Sequence, residues 1–149
     1  MMPAAYVTSE GGALLIIAVM LPVVGMLAVF ALGLRRAERI AYIILPAGLL
    51  IALAIAAEVA RTGAAVTYVL GGWQPPLGIA LRADGLSATL MTMTALVLCA
   101  VGLFARGAFS TPPDRTEARG PMVFWTLMLG LWSALNTVFL GQDLFNLFV

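Results

Sequence analysis

Four apolar runs, at residues 13–34, 40–60, 86–104 and 122–140, constrain this 149-residue chain more than anything else in it. Each has about the 20 residues that an α-helix needs to cross the hydrocarbon core of a bilayer. Charged residues make up 10% of the chain and hydrophobic ones 62%, against about a quarter charged in an ordinary soluble domain. The expected fold is therefore all-α and integral to a membrane, with four transmembrane helices plus the start of a fifth. The whole of 1–149 reads as one membrane domain, with the lipid bilayer as its first partner. Composition excludes a soluble enzyme, and no nucleophile–base pair or phosphate loop is present. A net charge of +1 without a basic run gives no argument for a nucleic-acid partner.

The longest stretch that cannot be a membrane helix separates the second run from the third. Gly71, Gly72, Pro75, Pro76 and Gly78 break any helix there, since proline lacks an amide donor and glycine loses the most backbone entropy. Residues 66–70 are β-branched and aromatic, and 77–81 alternates, with Leu77, Ile79 and Leu81 on one face. Two such runs around a Gly/Pro-rich turn predict a short β-hairpin. Its edges cannot face hydrocarbon, so it belongs at the outer membrane surface, with Trp73 and Tyr68 at headgroup level.

Within the first run Pro22 removes a helix hydrogen bond, so the span kinks unless a neighbour satisfies the freed carbonyl. Residues 35–39 read as a tight polar turn, and Pro46 falls early in the second run, whose Ala and Gly content allows another helix to approach closely. Glu58 ends that run with Arg61 at i+3, which reads as an interfacial ion pair or, alternatively, as part of an ion path. Asp84 precedes Gly85 and the third run, where a carboxylate N-caps a helix; a coupling-ion role is the other reading. Ser87, Thr89, Thr92 and Thr94 follow, hydroxyls that bond back to their own helix or line water. In the fourth run, which Pro121 opens, Thr126, Gly130, Ser133 and Thr137 form a small-residue stripe beside Asn136. Either a packing seam or a hydrated wall accounts for it. After Gly141, Gln142 and Asp143, the run Leu144-Phe145-Asn146-Leu147-Phe148-Val149 turns apolar again, as the opening of a fifth helix.

All eight cations are arginine, and the chain has neither Lys nor His, the side chains that most readily relay protons. Cys99 stands alone, so no disulfide, multi-Cys metal site or cofactor is expected. Arg35, Arg36 and Arg39 follow the first run, and Arg106, Arg115 and Arg119 follow the third; the hairpin connection holds only Arg61 and Arg82. This bias places the arginine loops inside and the N-terminus and hairpin outside.

These residues resemble a known family. Gly71-Gly72-Trp73-Gln74-Pro75-Pro76-Leu77-Gly78-Ile79, followed by Arg82-Ala83-Asp84-Gly85-Leu86-Ser87-Ala88, looks like the hairpin and third-helix start of antiporter-like membrane subunits. Gly141-Gln142-Asp143-Leu144-Phe145-Asn146-Leu147-Phe148-Val149 is similar to the segment that opens their fifth helix. The nearest resemblance is to the D-type subunits of Mrp-type multisubunit cation/proton antiporters, in a superfamily shared with respiratory complex I and membrane-bound hydrogenases. The resemblance implies the N-terminal third of a long bundle built on inverted repeats. It further implies other membrane subunits as partners, protons and Na⁺ or K⁺ as transported ions, and a bacterial-type inner membrane. It implies Gly72, Trp73, Pro76, Asp84, Gly85, Ser87, Asp143, Leu144, Phe145, Asn146 and Leu147 as motif positions. The family's essential glutamate and lysine lie beyond residue 149, so no catalytic residue carries over. Glu58, Asn136 and Asp143 are the remaining ion-path candidates. A stand-alone four-helix accessory protein and a small multidrug-type exporter are the competing functions; the exporter needs a carboxylate deep in a span, and Glu58 lies at a boundary.

Overall fold

The computed structural model describes residues 8–32, 34–72, 78–108 and 119–141. Its elements, in order, are α1 (Ala13–Leu32), α2 (Leu34–Thr62), β1 (Val66–Val69), a 3-10 turn (Leu70–Gly72), β2 (Ala80–Ala83), α3 (Gly85–Ala108) and α4 (Arg119–Leu140). All four helices are long and apolar enough to cross a membrane. The bundle is apolar outside as well as inside: Phe30, Ile43, Leu50, Phe104 and Leu127 are exposed, while Trp125, Trp132, Leu15, Ile55, Met91 and Leu129 fill the core. An apolar exterior on a packed core is what lipid, not water, requires. The chain is a multi-pass membrane protein.

Two expected boundaries move. The polar turn expected over 35–39 lies within α2, which begins at Leu34; Arg, Ala and Glu are good helix formers and nothing in that run breaks a helix. Pro121 is the third residue of α4, not its first. It still removes only an amide that the first turn leaves unpaired.

α1 packs on α4 and α2, and α2 packs on α3, while α4 also meets α2 and α3. α2 also meets α4 tightly at one point, Gly48. A Cβ on Gly48 would overlap the ring of Trp132, which is itself buried. The absent side chain thus makes room for the outer edge of an indole against a helix backbone, as small residues do at membrane helix interfaces.

β1 and β2 form the expected antiparallel hairpin, with Val66 opposite Ala83 and Val69 opposite Ala80. The second strand lies at Ala80–Ala83, not at 77–81. Ile79 is exposed while Ala80, Leu81 and Ala83 are buried, so the alternating face read from Leu77, Ile79 and Leu81 does not form; Leu77 lies outside the described residues. β2 instead runs directly into the capping residue of α3. Gly71 and Gly72 take positive φ of 66° and 75°, the left-handed region that glycine enters at least cost.

A two-stranded hairpin is marginal by itself, and here both outer edges are covered. The Leu70 amide bonds inward to Ile79 O at 2.9 Å, so by alternation the Thr67 and Val69 amides point outward. Thr67 N–H donates to Ser9 Oγ at 2.9 Å and Val69 N–H to Thr8 Oγ1 at 3.4 Å. Ser9 N–H returns a bond to Thr67 O at 2.9 Å. On the other edge, Leu81 pairs with Gly141, just past the end of α4. The hairpin therefore ties the start of α1 to the end of α4 at one end of the bundle.

Candidate functional site

The polar groups inside the apolar bundle gather where α4 crosses α1, and Pro22 explains why. Pro22 sits in the interior of α1 and is buried. It has no amide to give the carbonyl four residues back, and its ring pushes that carbonyl aside. The carbonyl is that of Ala18. Asn136, 3% exposed on α4, donates from Nδ2 to Ala18 O at 2.8 Å. One turn earlier on α4, Ser133 Oγ donates to Val19 O at 3.0 Å. Asn136 Oδ1 is buried and accepts no hydrogen bond among the described residues.

The stripe on α4 is thus a packing seam against α1 at Gly130 and Ser133. Gly130 faces Met26 of α1, with Sδ 3.1 Å from where its Cβ would be. Thr137 Oγ1 bonds back to Ser133 O at 2.9 Å. Thr126 Oγ1 and Trp125 Nε1 are buried without a partner among the described residues. On α3, Thr89 and Thr92 bond back to Gly85 O and Ala88 O at 2.7 and 2.8 Å, the local reading of those hydroxyls.

Glu58 and Arg61 form the expected ion pair, with Nη2 2.7 Å from Oε1 and Arg61 70% exposed. Asp84 caps α3: Ser87 N–H donates to its Oδ1 at 2.8 Å. That backbone bond, foremost, holds the Asp84 carboxyl below its ordinary pKa; the Ser87 hydroxyl, the Leu86 amide and nearby Arg82 add to it, against a smaller opposing effect of burial. Gly85 begins the helix and Gly72 ends the 3-10 turn. Trp73, Pro76, Asp143, Leu144, Phe145, Asn146 and Leu147 lie outside the described residues.

Among the described residues, the ion-path candidates Glu58 and Asn136 have separate partners. Glu58 belongs to the end of α2 that carries the hairpin, paired at its surface, and Asn136 is buried against α1. Among the described residues, no group of three or more His, Cys, Asp or Glu is placed to hold a metal ion. Two contacts escape the sequence reading. Tyr42 Oη donates to Gly102 O at 3.0 Å, tying α2 to α3, and the Thr8–Ser9 segment covers β1. Pro22 announces that a carbonyl needs a donor, and Asn136 is the one amide side chain within the spans.

Comparison with known proteins gives a consistent picture. No protein-family model matches the chain. It is 40% identical over 101 residues to the D-type subunit of the Na(+)/H(+) antiporter of Alkalihalophilus pseudofirmus, covering 68% of this chain and 19% of that protein. It is 35% identical over 101 residues to the D-type subunit of a probable K(+)/H(+) antiporter of Rhizobium meliloti, covering 68% of this chain and 17% of that one. The corresponding Na(+)/H(+) antiporter protein of Bacillus subtilis is 32% identical over 83 residues, 56% of this chain and 16% of that protein. Among solved structures, the membrane-bound sulfane sulfur reductase, an archaeal respiratory membrane complex, contains a chain that superposes with a TM-score of 0.77 at 26% identity. That match covers 94% of this chain and 27% of the other. The chain thus spans less than a fifth of the length of the curated relatives it matches.

Proposed function

We propose, on the premise that this chain belongs to the family of antiporter-like membrane subunits its relatives represent, that it is the N-terminal scaffold portion of a proton-translocating subunit. In this reading it works inside a multisubunit cation/proton antiporter or a related, redox-driven respiratory complex. Its partners are other membrane subunits, and the ions moved by the assembly are protons and Na⁺ or K⁺. The setting is a bacterial-type inner membrane, with the N-terminus and hairpin outside, as the arginine distribution favours. The observation that carries the proposal is the 40% identity to an antiporter protein of the D type over 101 residues, supported by the fold match over 94% of the chain.

The bundle's chemistry supports a scaffold role for this region. A proton crossing a membrane needs titratable groups or ordered water spaced through the hydrocarbon. The chain has no Lys or His. Glu58 sits in the last turns of α2, and Asp84 precedes α3. The strongest buried polar side chains, Ser133 and Asn136, are engaged in holding α4 to α1. Of the three ion-path candidates, Asn136 alone has a described buried atom, Oδ1, with spare hydrogen-bonding capacity.

The test is ion exchange by the chain alone. Residues 1–149, reconstituted in liposomes containing a pH dye, should show no Na⁺- or K⁺-dependent alkalinisation above protein-free vesicles. Robust exchange that disappears in Glu58→Gln would overturn the scaffold reading in favour of a small exporter. Affinity purification of the tagged chain from its own membranes should bring down other integral membrane proteins. Recovery of the chain by itself would favour the stand-alone accessory reading.

A further inference from the structure

We propose that the groove between α2 and α3, at the arginine-bearing end of the bundle, binds the headgroup of an anionic phospholipid. The Tyr42 hydroxyl bond to Gly102 O, at 3.0 Å, sets the register of the two helices there. Arg39 precedes Tyr42 by three residues and Arg106 follows Gly102 by four. In antiparallel neighbours both steps lead toward the same end, by about one helical turn or 5.4 Å. The two guanidinium groups therefore stand on either side of one groove, just beyond the Tyr42–Gly102 tie. Arg106 confirms its side of this placement, with Cζ 5.7 Å from the centroid of the Tyr42 ring. Arg36 lies a further turn out on α2.

All three arginines are exposed, and none forms an ion pair among the described residues, where Arg61 with Glu58 is the one such pair. The described carboxylate at this end is Glu38, half-buried one turn from Tyr42. Among the described residues, three exposed guanidinium groups stand against one carboxylate at this end, a surplus that favours an external anion. The neighbouring residues in sequence are apolar and outward: Ile43 is 68% exposed, Leu103 67% and Phe104 84%. Cationic forks above an aliphatic surface match a lipid in both parts. A guanidinium binds phosphate oxygens in its planar fork, and acyl chains lie along the flank below. Basic pockets between membrane helices bind anionic headgroups for this reason. A soluble acidic segment would have no use for the exposed Phe104.

Native mass spectrometry tests this on the purified 1–149 chain, equilibrated with equal amounts of phosphatidylglycerol and phosphatidylcholine. The chain should retain the anionic lipid by at least about tenfold, as about 1 kcal/mol per arginine implies. The Arg39→Gln/Arg106→Gln double variant should lose that preference, while Arg61→Gln, at the opposite end, keeps it. If the double variant loses its helicity by circular dichroism, the single variants carry the test, each lowering the preference about fivefold. Equal retention of both lipids by the parent chain, or a preference that survives the glutamine substitutions, would overturn the proposal. Displacement of the lipid by inorganic phosphate would also overturn it, since the groove would then be a site for the free anion.

Discussion

α1 and α2 each carry a proline well inside a membrane-spanning helix, and the bundle treats the two breaks differently. In α1, Pro22 frees the carbonyl of Ala18, and the Asn136 amide answers it from α4 at 2.8 Å, with Ser133 on the adjacent Val19 carbonyl. In α2, Pro46 frees the carbonyl of Tyr42, and no side chain among the described residues donates to it. On this stretch of α2 the Cys99 thiol donates from α3 to a different carbonyl, that of Leu45, at 3.5 Å. A carboxamide is a strong neutral donor and a thiol a weak one. The difference teaches where the bundle is specified: the break in α1 selects its partner helix by hydrogen bonding. The stretch after Pro46 in α2 is joined to α4 chiefly by shape, through Trp132 over Gly48.

This contrast can be broken by substitution. Asn136→Leu should have the largest effect, destabilising the bundle by about 1–2 kcal/mol, because it leaves a buried carbonyl without its donor. The measurement is unfolding by sodium dodecyl sulfate titration from mild detergent, followed by loss of helicity. A change near zero would mean that the Ala18 carbonyl finds another partner and that α1 and α2 are treated alike.

Asp84 provides the same physics at a helix start, where amides rather than a carbonyl are left over. Asp84→Ala should cost about 1 kcal/mol as a lost N-cap. Its pH dependence has a definite sign. The folded carboxyl has a pKa below its ordinary value of 3.8, so the unfolded chain binds the proton more readily. The cap's contribution is then complete above that ordinary value and is lost as the pH falls through the lower folded one. Comparing the parent with Asp84→Ala, the difference in stability should be constant near neutrality and vanish in acid. A difference that grows toward acid pH would contradict the cap.

The smallest effects sharpen the comparison most. Ser133→Ala should cost about 0.6 kcal/mol, the average for a polar contact between membrane helices. Cys99→Ala, which removes a weak donor and little volume, should cost less than that. If the thiol substitution proves the costlier of the two, this stretch of α2 is held by hydrogen bonding rather than by shape.

Much of this arrangement is legible in the sequence, and what is not has a common cause. The four spans follow from their length and apolarity. The Asp84 cap follows from a carboxylate placed before Gly85 and three residues ahead of Ser87, and the Glu58–Arg61 pair from a three-residue spacing. These are local relations, set by the geometry of one helix. The contact of Asn136 with Ala18 joins residues 118 apart, and that of Tyr42 with Gly102 joins residues 60 apart. Such pairs depend on how each helix is rotated, and an apolar run with no polar face does not show its rotation. The start of β2 escapes the sequence for a related reason. Residues 77–81 alternate as well as 80–83 do, and the choice is made by the Asp84 cap and by Gly141 pairing with Leu81 from the far end of the chain.

If the polar residues of α4 serve the proline break in α1, the energies of positions 22 and 136 must be coupled. A double-mutant cycle between them tests this most directly. Alanine at position 22 restores an amide to the Ala18 carbonyl within α1 and makes the Asn136 donor redundant. Asn136→Leu should therefore cost about 1–2 kcal/mol with Pro22 present and only a few tenths with Pro22→Ala, a coupling well above the additivity expected of independent sites. Equal costs in the two backgrounds would contradict the account and return Asn136 to the residues free to line an ion path.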